Sequence, residues 1–500
     1  MRAVYLRLFT LAAFANAAQA GGAAATTTSV AVMATGTSAV LGGVKYVNKG
    51  LVAFGRILPN ATESTGDTIG GIGSAMVLKR GTWAQHANGS YTGTLVMQPD
   101  RGFNVIAPID YQARRHEIAF VLTPYYAPAP LTFAQAVAQT LVLTYVNTTL
   151  HFERNHTRTS GLDPLATRAA QTRSPTLPLA DPVMPIASLA EPHLVVDAEG
   201  LVQDVDGTFW TSDEYGPYIY HFAANGSLIQ TIQPPAAILP MINGTLNFTS
   251  ETNPDTGRQG NQGTYLSWLS FWRILYAVLQ SGTVQDGAGQ VTRLFAYDLT
   301  NAAAGTIPLV GEWVLLLPVI SNGKVEATSE IHLVSDGVFL CLSRDGNGHG
   351  GSGTKFKYKQ ADLFSIANAT DIHGTRFDSP AFPVAPGGVL DPAITPVTYV
   401  GFVNYVNATD LARFGLHTGD PDDNTLPDSK WESLALAPVG DPLAPDDYFL
   451  FTASDNDFLT TQGVSLGVPY DAGEDVDNQF MVFRVTLPGA AHTVALTLGL

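Results

Sequence analysis

The sequence predicts an all-β chain folded as a β-propeller of about six or seven four-stranded blades, with a largely irregular insertion. Three observations lead there. Gly 48 and Pro 31 among 500 residues, interleaved with short aromatic and β-branched runs, favour strands and turns over helices. Hairpin signals recur at Asp206-Gly207, Asn225-Gly226 and Asp336-Gly337, where Gly accepts the positive φ of a tight turn. Acidic residues recur at the ends of the strands that such turns join. Radial blades would gather those ends around a central channel, whereas a stacked sandwich would not.

Taken in order, residues 1–20 read as a secretory signal peptide. Arg2 and Arg7 flank an apolar segment, and Ala18-Gln19-Ala20 offers a cleavage site. That apolar run is too short to span a membrane. Residues 21–43 are an Ala/Thr/Gly-rich linker, and the propeller is expected over 44–490. Asp67-Thr68-Ile69-Gly70-Gly71-Ile72-Gly73 opens a first hairpin whose return strand, Tyr91 to Met97, ends in Asp100-Arg101-Gly102. Arg115–Tyr125 continues as a strand. Residues 127–188 break the pattern and read as an insertion with a short helix at Phe133–Leu143.

The central hairpin pairs Asp197-Ala198-Glu199-Gly200-Leu201 with Thr208–Ser212, followed by Asp213-Glu214-Tyr215-Gly216-Pro217. An antiparallel turn at Asp206 brings Glu199 beside Asp213 and Glu214. Carboxylates so crowded require a cation or an arginine. Tyr218–Phe222 and Leu228–Ile232 complete a four-stranded unit. The arrangement recurs from Glu330 to Arg344-Asp345, and from Glu432 to Asp455-Asn456-Asp457. A weaker copy begins at Gly263-Thr264-Tyr265-Leu266, with no acid at either end. Five units are countable, a sixth or seventh is expected around 375–410 and at the termini, and ring closure should pair a strand near 44–57 with the one at 480–487.

The formal net charge of −17 argues against nucleic acid or an anionic membrane as partner and suits local capture of a cation. Nine Asn-x-Ser/Thr sequons, at Asn60, Asn88, Asn147, Asn155, Asn225, Asn243, Asn247, Asn368 and Asn407, support passage through a glycosylating secretory route and an extracellular destination. Cys341, in the apolar run Val338–Leu342, reads as a buried, inert thiol, so intrachain disulfides are excluded. No Gly-x-Ser-x-Gly elbow is present, and His193, His332 and His349 lack zinc-site spacing. Trp210, Trp431 and Tyr218 read as packing residues rather than substrate platforms.

Asp-Ala-Glu-Gly-Leu (197–201), Phe-Trp-Thr-Ser-Asp-Glu-Tyr-Gly-Pro (209–217), Leu-Ser-Arg-Asp (342–345), Lys-Trp-Glu-Ser-Leu-Ala (430–435) and Ser-Asp-Asn-Asp-Phe (454–458) resemble the phytase-like family. The family is also called the "esterase-like activity of phytase" domain. Gly70-Gly71-Ile72-Gly73 and Pro99-Asp100-Arg101-Gly102 fit its opening pattern, so the resemblance covers roughly 65–487 apart from the insertion. It implies a propeller and a phosphoester or ester hydrolase. One departure is Tyr265, which stands where the family usually carries an acid.

Converging carboxylates suit Ca²⁺, which takes six to eight oxygens in flexible geometry. Glu199, Asp213, Glu214, Asp345, Asp455 and Asp457 are the candidate metal ligands. Glu199, Asp213, Glu330, Arg344 and Glu432 are the candidate catalytic residues, with Arg101 and Arg344 to bind a phosphate. The competing reading makes Arg344 and Asp345 a structural ion pair between strand ends. The function expected is calcium-assisted cleavage of a small phosphorylated substrate such as phytate, by a secreted monomer. The alternatives are a calcium-stabilised binding propeller without catalysis, or a carboxylic ester or lactone hydrolase on the same scaffold.

Overall fold

Five antiparallel sheets of four or five strands stand side by side among the described residues, each a blade whose first strand faces a common axis. The computed structural model describes residues 36–101, 109–172, 179–260, 264–269 and 273–500, with backbone alone for 264–269. The signal peptide expected at 1–20, most of the linker at 21–43, Gly102, Asn261-Gln262-Gly263 and the Tyr265 side chain therefore lie outside the described residues.

The first blade comprises Ala75–Leu78, Tyr91–Gln98, Arg114–Leu122 and Leu141–Leu150, with Ala84–Gln85 alongside. The second is Ala198–Gln203, Phe209–Asp213, Ile219–Phe222 and Leu228–Ile232. The third is Thr264–Leu269, Ile274–Leu279, Val291–Asp298 and Leu309–Leu316. The fourth is Thr328–Ser335, Val338–Arg344, Lys359–Ser365 and Thr398–Asn404. The fifth takes Lys430–Pro438, Asp447–Asp455 and Asn478–Thr486 from the end of the chain. It then takes Val44–Ile57 and Thr37–Leu41 from the beginning. Each inner strand touches the next around the ring, and the fifth touches the first.

The six or seven blades expected are thus corrected to five. The stretch 375–410 supplies one outer strand, Thr398–Asn404; before it lie 3₁₀ turns at Arg376–Asp378 and Pro386–Gly388. The two termini share the fifth blade instead of building their own. Ring closure is as the sequence suggests, with Val47 opposite Thr486 and Ile57 opposite Asn478. The stretch 127–188 is less irregular than expected. A helix, Phe133–Gln139, capped by Thr132 and Gln135, leads into the first blade's outer strand, Leu141–Leu150.

Apolar clusters join neighbouring blades, and Gln98 adds a buried hydrogen bond from the Thr211 hydroxyl between the first and second. Trp210 and Trp431 are fully buried; Trp210 stacks on His221 at 3.9 Å, and Trp431 donates its indole N–H to Asp428 O at 3.0 Å. Cys341 is buried against Thr328 Oγ1 (3.1 Å), and burial pushes its thiol up to about 11. The helix Ala491–Leu498 lies across one end of the channel, where Arg80 binds the carbonyls of Leu496 and Thr497. Seven sequon asparagines are exposed; Asn247 and Asn407 are half-buried, and Asn407 caps the helix Ala408–Ala412.

Candidate functional site

The two ends of the channel differ in chemistry. Beneath the C-terminal helix it narrows to an apolar space of about 50 Å³ lined by Met76, Leu201, Ile331, Leu434 and Val494. At the other end it opens into a polar cavity of about 460 Å³. Six carboxylates (Asp100, Asp197, Glu199, Glu214, Glu326 and Glu432) line that cavity against three bases, Lys324, Arg344 and Lys430. The surplus of negative charge suits a cation first and an anionic substrate only after it.

Backbone irregularity places these side chains. In the second blade the register shifts between Ala198 and Leu201, and in the fifth between Trp431 and Ser433, so Glu199 and Glu432 fall in β-bulges. In the fourth blade the shift lies between Thr328 and Glu330, and the extra residue is Ser329. Ser329 accordingly lines the polar cavity, whereas Glu330 lines the narrow apolar space. Glu330 accepts one backbone N–H, from Ile331 (2.9 Å), and burial drives its carboxyl well above the usual range. Inner strands one and three pair without a shift and bring no acid.

Asp197, Glu199 and Glu214 form the most cation-ready group. One oxygen from each lies within 4.8 Å of the others, and all three are buried. Asp197 accepts from the Arg101 N–H at 3.0 Å, and the Arg101 guanidinium stands 3.7 Å from it while lying over the Tyr215 ring. Glu199 Oε2 is buried with no hydrogen-bond partner. Burial, then the neighbouring Glu214, push Asp197 and Glu199 well above the carboxylate range; burial raises Glu214 as well. Such a group is costly without a cation, and its oxygen-only chemistry fits a hard ion such as Ca²⁺.

Asp213 is placed differently from Glu199 and Glu214. Its carboxylate is taken by the N–H groups of Asp197 (2.8 Å) and Gly216 (2.9 Å) and by the Tyr220 hydroxyl (3.1 Å). Burial pushes it up to about 7. It holds the hairpin end in shape from behind the cavity wall.

The acids of the fifth blade already have a cation. Lys430 Nζ donates to Asp455 Oδ2 at 2.5 Å and Asp457 Oδ1 at 2.7 Å, with Asp100 Oδ2 at 3.5 Å and Glu432 Oε1 at 3.8 Å. Burial pushes Asp100 up to about 6 against the pull of Lys430. Burial would raise Glu432 too, but Lys430 and Arg344, which bonds it directly, hold it below its ordinary value. Asp345 lies apart from these groups. Burial favours its protonation, but Lys359 (3.3 Å) and the N–H groups of Asn347, Lys357 and Tyr358 keep it ionised.

The glycines of Gly70-Gly71-Ile72-Gly73 have a steric cause. A Cβ on Gly71 would meet Phe458 and Asp100, and one on Gly73 would overlap the backbone of Ser454 and Asp455. The loop is pressed against the Asp-Asn-Asp-Phe turn, and Asn456 Oδ1 accepts from Gly71 N–H at 2.9 Å. Lys430, Asp197 and Asp100 also line the cavity, although none of them stands among the candidate ligands or catalytic residues drawn from the sequence. Lys430 sits directly opposite Asp455 across the hairpin, so the register of the outermost pair would have revealed it.

The family model described as "Phytase-like: Esterase-like activity of phytase" matches residues 147–458, which span blades two to four and the paired inner strands of blade five. A relative from Arthroderma benhamiae called "Uncharacterized secreted protein" is 34% identical over 468 residues, covering 84% of this chain and 89% of the relative. Among solved structures, a protein of unknown function from Dyadobacter fermentans superposes with a TM-score of 0.31 at 9% identity. It covers 87% of this chain and 98% of its own. A luciferin-regenerating enzyme superposes with a TM-score of 0.26 at 12% identity, over 87% of this chain and 96% of that one. The extent of the family match and the full-length relative place this five-bladed chain in the phytase-like family.

Proposed function

We propose that the protein is a secreted hydrolase that holds Ca²⁺ with Asp197, Glu199 and Glu214 and cleaves a phosphoester. The observation that carries this is the buried, unpartnered Glu199 Oε2 inside a group of three carboxylates at the wall of an open cavity. Ca²⁺ bound there would supply Lewis acidity toward a phosphoryl oxygen and make a bound water more acidic. Around it, Arg344 offers positive charge to the phosphoryl group from the same cavity, with Glu432 fixing its position. Asp100, pushed up to about 6, is suited to exchange a proton with water or leaving group near neutral pH. Asp213 and Arg101 position Asp197; Asp345 and Glu330 serve the scaffold. Secretion is supported by the signal-like residues 1–20, the sequons and the name of the relative. A monomer acting on a small molecule, without nucleic acid or membrane, completes the reading.

A second reading has its own support. The surplus of carboxylates in the cavity opposes a polyanion such as phytate and favours a neutral carboxylic ester or lactone. The test is hydrolysis of phytate, a phosphomonoester and a neutral ester by the purified protein, with calcium or a chelator, beside Glu199→Gln. Calcium-dependent phosphate release that Glu199→Gln abolishes is the expected result. Turnover of the neutral ester alone would move the assignment to the second reading. Bound calcium with no turnover would leave a binding propeller.

A further inference from the structure

Two groups of three carboxylates stand near one another at the polar end of the channel, close enough that Asp100 of one raises the cost of ionising Glu199 of the other. In each, one oxygen from three acids lies within 4.8 Å of the rest: Asp197, Glu199 and Glu214 in the first, Asp100, Asp455 and Asp457 in the second. They differ in what neutralises them. The first has a buried oxygen without a partner. The second surrounds the Lys430 ammonium, whose three N–H donors match the three carboxylates at 2.5, 2.7 and 3.5 Å. Lys430 is brought there by the inner strand of the fifth blade, directly across from Asp455. Asp457 is held in turn by donating its N–H to Asp455 Oδ1 at 2.7 Å.

We infer that Lys430 is a tethered counter-cation standing where a divalent ion would otherwise bind. With its donors committed to carboxylates, Lys430 is a positioning residue and does not itself grip a substrate. It holds Asp455, Asp457 and Glu432 at fixed places, so this part of the site keeps its shape when the exchangeable ion leaves. An ammonium brings one charge and no open coordination position, whereas Ca²⁺ brings two charges and demands six to eight oxygens. Removing the side chain while keeping its apolar bulk should therefore open a new calcium site.

The experiment is calcium stoichiometry by native mass spectrometry and thermal melting, with and without millimolar calcium, on the wild type, Asp457→Asn, Lys430→Met and Lys430→Met/Asp457→Asn. The expected result is one more Ca²⁺ per chain in Lys430→Met than in the wild type, lost again in the double variant. If Lys430→Met is unfolded without calcium, it should fold with it. Equal stoichiometry in wild type and Lys430→Met would overturn the inference, as would failure to fold even with calcium. A wild-type ion that Asp457→Asn removes would overturn it as well. This inference rests on the second carboxylate group and not on the hydrolase reading. No ion in the wild type and one in Lys430→Met would remove the calcium site at Glu199 and leave the role of Lys430 standing.

Discussion

Glu199 pays for its position with a buried oxygen that nothing in the chain satisfies, and this gives Glu199→Gln two opposite effects. Without calcium the amide removes one charge from a crowded group, so the variant should melt no lower than the wild type. With calcium, the wild type should gain about 2.7 kcal/mol at a hundred times its dissociation constant, and the variant should lose most of that gain; melting curves with and without calcium check both. Acidity works through the same groups. Asp100 and Asp213 are pushed up to about 6 and about 7 in the fold, above their unfolded values, so the folded state holds more protons. Their stabilising contribution is complete below about pH 4 and is lost as pH rises through about 6 to 7. The calcium-free protein should therefore melt progressively lower across that window. Calcium, which prefers the ionised form, should raise the melting temperature at pH 7.5 and have little effect near pH 4.5. Glu330→Gln should leave calcium affinity unchanged, since that carboxyl lies in the apolar end of the channel; isothermal calorimetry decides it.

Bulges explain which parts of the site could be read in advance at the level of strands. Acids at strand ends are visible in the sequence, and Glu199, Glu214 and Glu432 do meet in one cavity. What cannot be read is a single extra residue in a strand, because a one-residue slip turns every following side chain to the other face. That slip separates Glu330 from Glu199 and Glu432 although the three look alike in sequence, and gives the cavity position to Ser329. The Leu141–Leu150 strand was hidden for another reason: it is an exposed outer strand in Ala- and Thr-rich surroundings. The glycine loop gives the prediction at this scale. Gly73→Ala would drive a Cβ into the Ser454–Asp455 backbone, and overpacking of this kind costs about 1–3 kcal/mol. The denaturation midpoint should fall accordingly.

The blade count was overestimated because equal spacing along a chain does not reveal that two distant pieces share one sheet. Closure depends on Val44–Ile57 sitting between Asn478–Thr486 and Thr37–Leu41. A chain beginning after residue 57 should lose the fifth blade's outer strands and unfold in a broad transition at lower temperature, measurable by calorimetry against the full chain. Deleting 491–500 should act more locally, uncovering the apolar end of the channel while the polar cavity keeps its calcium. The closure also sets a timetable. Ile57 and its partner Asn478 are some 420 residues apart in the chain, and at ribosomal rates of 5–20 residues per second the early strand waits roughly 20 to 80 s for its neighbour. Throughout that delay an aliphatic strand edge lies bare to other nascent chains. An early part of the protein is placed late, so the yield of folded protein should depend on whatever shields that edge in the interval.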